Sequence, residues 1–218
     1  MVPTAAQLLS LRAGLFLLSL LPLARTVWLG IDGRLGANPI ETITRASGDW
    51  TLYFLCFTLA NTPLRRLTGQ NWLLKLRRML GLFTFFYASL HFLCFIWFDH
   101  FFDPAAIWKD VLKRPFITVG FIAYLLLLPL AATSSDAMVR RLGRQWARLH
   151  RLVYLVAVLA ILHFWWMHAG KNDFAEPLLF GAIIALLLGT RLLLRWRAAR
   201  ALARSAAVEL SLKDPADP

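Results

Sequence analysis

The sequence predicts an all-α integral membrane protein, a bundle of six transmembrane helices. Three observations carry this. Of 218 residues, 59% are hydrophobic and only 17% charged, and the mean hydropathy is +0.59, too oily for a soluble domain of this size. Several apolar runs approach the roughly 20 residues that a helix needs to cross ~30 Å of hydrocarbon. The basic residues collect in alternate connections between these runs. No run shows the two-residue alternation of a membrane barrel, so each backbone must satisfy its own polar groups as a helix.

Taken in order, the expected spans are 8–29, 48–63, 79–98, 116–133, 149–168 and 177–194. The first, "AGLFLLSLLPLA" after Arg12, also resembles a secretory signal, but apolar character resumes through "TVWLGI". Gly33, Gly36, Asn38-Pro39, Asp103-Pro104 and Pro115 punctuate the connections. The N-terminus and segments 64–78, 134–151 and 191–218 hold 17 Lys plus Arg, and the opposite connections hold six. Both termini are therefore expected in the cytoplasm. The chain divides into a bundle over 1–198 and a basic, mobile cytoplasmic tail over 199–218.

The same charge pattern disposes of another function class. A net charge of +12 spread over alternate loops is a topology signal, not a nucleic-acid surface. Cys56 and Cys94 lie in apolar runs without CxxC spacing, so they read as small packing residues. No connection is long enough for a catalytic domain, and the tail is too short to bind a nicotinamide nucleotide.

The histidines carry the chemistry, because an ionisable residue inside a span needs a partner. His91 lies fourteen residues from Arg77, and His163 thirteen from His150, on spans expected to run in the same direction. The two side chains should sit at one depth, as the axial ligands of a six-coordinate haem must. Zinc is less apt, since no acidic or thiol ligand shares that depth. Ala88, Thr84 and Gly81 fall near the His91 face and offer a groove for a flat cofactor, or an ordinary helix-packing surface. His150 is turned about 140° from His163 on an ideal helix, so either the helix bends or the two face cofactors on different sides. Arg77 and Arg78 share its level and suit propionates or a flavin phosphate, or serve as positive-inside charges. His168, beside Trp165 and Trp166, reads as an interfacial residue, and His100 as a structural loop residue.

The segments "GANPIETITRASGDWTLYFL", "LANTPLRRL", "LRRMLGLFTFFYASLHF", "KRPFITVGFIAYLLLLPLAATSS" and "RRLGRQWARLHRLVYLVAVLAILHFWW" resemble the MsrQ (YedZ) family. That family belongs to the ferric reductase-like transmembrane superfamily, and the match runs from about residue 36 to 168. The resemblance implies one or two b-type haems, with His91, His150 and His163 as ligands, and an attributed FMN. It implies electron transfer from the quinone pool across the bacterial inner membrane to MsrP, a periplasmic molybdenum enzyme that repairs oxidised methionines. Relatives with two stacked haems carry two histidines on each of two helices; Arg77 occupies the position of the missing fourth. On this reading the chain is an electron-transfer subunit and not the catalytic one. A ferric reductase or cytochrome b561-like protein without this partner is the redox alternative, and a small transporter or assembly factor the non-redox one.

Overall fold

The computed structural model describes residues 3–170 and 172–213. Helix α1 spans Ala5–Ile31, α2 Pro39–Thr68, α3 Leu74–Cys94, α4 Pro104–Lys113, α5 Pro115–Ala132, α6 Asp136–Leu142, α7 Arg144–Leu149, α8 Leu152–Ala169 and α9 Ala175–Lys213. The six long helices (α1, α2, α3, α5, α8 and α9) correspond to the six expected spans, of which 79–98 runs on into the turn after α3, 116–133 ends one residue past α5, and 149–168 begins before α8. The short ones occupy connections. Helix α9 crosses the 198/199 boundary and stays helical to Lys213; residues 214–218 of the expected tail lie outside the described residues.

The punctuation acts as local chemistry requires. Asn38 caps α2 by accepting from the Glu41 N–H, with Pro39 in the first turn where its missing N–H costs nothing. Asp103 and Pro104 do the same for α4, and Pro115 opens α5. Gly69 ends α2 in the left-handed region at φ 69°, a conformation open to glycine without penalty. The π-helical turn Phe95–Asp99 extends α3.

Five of these long helices are apolar enough by composition to cross a membrane; α2 is long enough but more polar. Its place explains this. Helix α2 packs along α3 and also touches α9 and α1, burying Leu52, Phe54, Leu55 and Leu59 together with Ser47 and Asn61. A helix enclosed by others need not be oily all round. Conversely, Leu17, Leu18 and Leu186 stay exposed on outward faces, as side chains that meet lipid should. With no hydrophobic drive between helices in lipid, packing and interhelical hydrogen bonds hold the bundle. Tyr87 illustrates this: almost fully buried, it donates to the Ser19 carbonyl at 2.7 Å and ties α3 to α1.

A second tie mends a defect. Pro63 lies inside α2 and has no N–H to offer the carbonyl of Leu59, four residues back. Arg191 of α9 fills the vacancy, donating to Leu59 O from Nη2 at 2.5 Å and from Nε at 3.1 Å, and reaching the Tyr154 hydroxyl at 3.1 Å. Arg191→Met should lower thermal stability in detergent by about 2 kcal/mol, the scale of a charged hydrogen bond. Adding Pro63→Ala, which restores an N–H, should recover part of the loss; no recovery would refute the assignment.

Candidate cofactor site

Among the described residues, two cavities in the bundle are lined by the histidines of the spans. The first, about 270 Å³, is lined by His91, His163, Thr84 and Ala88 among others. The second, about 410 Å³, is lined by His150, Arg77, Arg78 and Gly81. On the expected orientation these are the outer and inner cavities. The structure thus brings together His91 and His163, and separately His150, Arg77 and Arg78. The groove residues divide, with Ala88 in the outer cavity, Gly81 in the inner, and Thr84 in the wall shared by both.

In the outer cavity the rings of His91 and His163 have centroids 6.1 Å apart, with planes at 78°. Two metal–imidazole bonds of about 2 Å, plus about 1 Å from each nitrogen to its ring centre, also give about 6 Å. The spacing fits one octahedral iron between the rings.

Both rings are seated in the same way. His91 Nδ1 donates to the Thr44 carbonyl at 2.9 Å, with Ser47 Oγ at 3.5 Å; His163 Nδ1 donates to the Phe116 carbonyl at 2.7 Å. A carbonyl only accepts, so Nδ1 carries the proton and Nε2 is left bare, the state an axial ligand needs. Each carbonyl is followed four residues later by a glycine that faces the ring. A Cβ on Gly48 would lie 3.1 Å from His91 Cε1, and one on Gly120 would lie 2.7 Å from His163 Nδ1. The pairs α2 with α3 and α5 with α8 therefore present one device twice: a carbonyl at i, a glycine at i+4, and a histidine from the partner helix. Sequence reasoning missed both glycines, because a glycine in a span reads first as a generic packing residue.

The inner cavity differs. His150 falls at the joint between α7 and α8 and not within one continuous helix, which gives it a direction of its own. Its Nδ1 is bonded to the Trp146 carbonyl at 3.1 Å, and Trp146 stacks on the ring at 3.9 Å. Its Nε2 is buried without a hydrogen-bond partner. Among the described residues no second imidazole lines this cavity. Guanidinium groups line it instead: besides Arg77 and Arg78, the structure adds Arg151, Arg191 and Arg195. Arg78 pairs with Asp136 of α6, whose carboxyl is held below the usual range by that bond. Such a cavity suits the anionic groups of a cofactor. In sequence the added arginines were indistinguishable from ordinary positive-inside charges.

The remaining histidines separate. His100 bonds Asp110 at 3.0 Å, and Arg114 also pairs with Asp110, pinning α4 to the turn after α3; this is the structural role expected. His168, read as an interfacial residue, is 5% exposed, bonds the Asp173 carbonyl at 3.0 Å through Nδ1 and lines the outer cavity with His91 and His163. Cys56 and Cys94 are buried free thiols, as expected of packing residues.

Residues 46–161 match the family described as ferric reductase like transmembrane component. Among curated proteins the chain is similar to "Protein-methionine-sulfoxide reductase heme-binding subunit MsrQ" of Herminiimonas arsenicoxydans, 60% identical over 89% of this chain and 90% of that protein. The protein of the same name from Ralstonia nicotianae is 58% identical over 92% and 94%, and that from Rhodospirillum rubrum 54% over 83% and 86%. No solved structure matches. With its central residues matched to the ferric reductase-like component and nearly its whole length to these relatives, the chain belongs to the MsrQ family and carries a ferric reductase-like transmembrane domain.

Proposed function

We propose that this chain is the haem-binding electron relay of a periplasmic methionine sulfoxide reductase system. It sits in the bacterial inner membrane with both termini cytoplasmic, and passes electrons from the quinone pool to the molybdenum enzyme MsrP. The observation that carries the reading is the pair of imidazoles 6.1 Å apart, each with Nδ1 locked to a carbonyl.

A b-type haem supplies reversible one-electron chemistry at iron. The protein's part is to hold and shield it. His91 and His163 coordinate from α3 and α8 with preset tautomers. Phe92, Phe116, Phe121 and Phe164 line the cavity and keep water from the ring edge. The bundle over 1–198 is the binding unit, with 199–218 as the cytoplasmic tail. In the inner cavity, Arg77 and Arg78 face the anionic group of a second cofactor, the propionates of another haem or the phosphate of FMN, and the bare Nε2 of His150 is its ligand or hydrogen-bond acceptor. Leu55, Thr84 and Leu127 line both cavities. Electrons passing between them therefore cross a wall one side chain thick.

The purified protein should show the split bands of low-spin haem b on dithionite reduction. Quinol-reduced protein should be reoxidised when MsrP and a sulfoxide are added. A haem-free preparation would sink the relay reading, and failure of reoxidation would remove MsrP as the acceptor.

A further inference from the structure

We propose that His168, Asp49 and Glu176 form the proton-accepting site for a membrane-borne hydroquinone at the outer mouth of the His91–His163 cavity. This rests on the relay reading and deepens it by placing the electron donor.

Three helices build the mouth, with Asp49 on α2, His168 on α8 and Glu176 in the first turn of α9, all lining the cavity. His168 is buried, and its Nδ1 donates to the Asp173 carbonyl at 3.0 Å. It carries the same lock as the two proposed ligands, so its Nε2 is likewise a bare acceptor. Yet His91 and His163 already complete an axial pair, which leaves this third imidazole free for other chemistry. Asp49 and Glu176 line the same cavity as His168. Among the described residues neither forms an ion pair, and the nearby Arg45 is engaged by Glu41 at 2.6 Å. Asp49 is half-buried and Glu176 exposed at the edge of this cavity, whose wall also holds Arg45 and Arg114; carboxylate oxygens placed there can accept an O–H proton and hand it to the surface.

The remaining wall here is Leu52, Phe164 and Met167, suited to a flat apolar ring that carries hydroxyl groups. Trp166, Leu178 and Leu179 are exposed on α8 and α9 nearby, so the approach runs from lipid and favours a lipid-soluble donor over an aqueous one. The balance is complete. Hydroquinone goes to quinone as two O–H bonds break. His168 Nε2 takes one proton, and the Asp49–Glu176 pair takes the other and passes it to the outer surface. The two electrons leave one at a time for the one-electron acceptor that His91 and His163 would hold, which would pass each on to the periplasmic partner.

The test uses haem-loaded protein in nanodiscs, with menadiol as donor and menadione as binding probe. His168→Phe should slow menadiol-driven haem reduction about 100-fold, the low end for a lost proton acceptor. Asp49→Asn and Glu176→Gln should slow it by smaller factors. The dithionite-reduced spectrum and the haem content should stay at wild-type values, while menadione quenching of tryptophan fluorescence weakens in His168→Phe. Unchanged menadiol rates in Asp49→Asn and Glu176→Gln, or in a folded His168→Phe, would overturn the proposal. Haem loss in His168→Gln would also overturn it, by making His168 part of the haem's own support. A wild-type protein without haem would defeat the relay reading itself, a distinguishable result.

Discussion

Replacing His163 by alanine is expected to abolish the same low-spin haem signal that His91→Ala abolishes, whereas His150→Ala leaves at least part of it. The reasoning is geometric. His91 and His163 face one another across a single cavity with ring centres 6.1 Å apart, so either deletion leaves iron with one axial nitrogen. His150 lines a different cavity, and its loss disturbs only what that cavity holds. Haem quantification and reduced-minus-oxidised spectra of the three variants read this directly; equal and total loss in all three would refute two separate sites. Ligation can also be told apart from packing. In His163→Gly, added imidazole should restore six-coordinate absorption, which a merely structural role would not produce. The ring planes at 78° add a spectroscopic consequence. Near-perpendicular imidazoles leave two iron d orbitals close in energy, so the oxidised protein should show a highly anisotropic low-spin EPR signal.

Much of this arrangement is legible in the chain before folding. Nearly equal counts, fourteen from Arg77 to His91 and thirteen from His150 to His163, place the two histidines at about one depth, because helical rise is constant. The 140° rotation between His150 and His163 on an ideal helix already calls for either a bend or separate pockets, and the structure has both, a joint at His150 and two cavities. The same arithmetic misses features that depend on partner helices. His168 looks interfacial because only its own helix end is visible in sequence; its place in the cavity wall beside His91 and His163 is a tertiary event. Arg191 looks like a topology charge, although its carbonyl partner is open only because Pro63 lies four residues further along another helix. The joint at His150 is equally hidden, since residues 149–152 contain neither proline nor glycine to announce it. Depth is a one-helix property and can be counted. Contact is a two-helix property and cannot.

Gly120→Ala is the sharpest test of the seating device. In an ordinary exposed helix, alanine is favoured over glycine by about 1 kcal/mol, and Gly14 and Gly189, with no atom within 4 Å of an added Cβ, should gain stability in this way. Gly120 should reverse the sign. Its Cβ would lie 2.7 Å from His163 Nδ1 and 2.9 Å from Cε1, nearer than non-bonded atoms approach. The ring has little freedom to yield, because Nδ1 is fixed to the Phe116 carbonyl at 2.7 Å and iron would hold Nε2 on the opposite side. Either that hydrogen bond breaks or α5 and α8 move apart, and overpacking of this kind costs about 1–3 kcal/mol. The variant should lose haem affinity and thermal stability together. Gly48→Ala, with contacts of 3.1 and 3.2 Å to His91, requires a shift of only a few tenths of an ångström, and should keep haem with an altered reduction potential. Haem content, potential and melting temperature, measured across Gly14→Ala, Gly189→Ala, Gly48→Ala and Gly120→Ala, separate helix propensity from ligand seating. If Gly120→Ala gained stability and kept its haem as Gly14→Ala does, the ring would not be held against α5, and the carbonyl–glycine seat would lose its role in fixing the ligand.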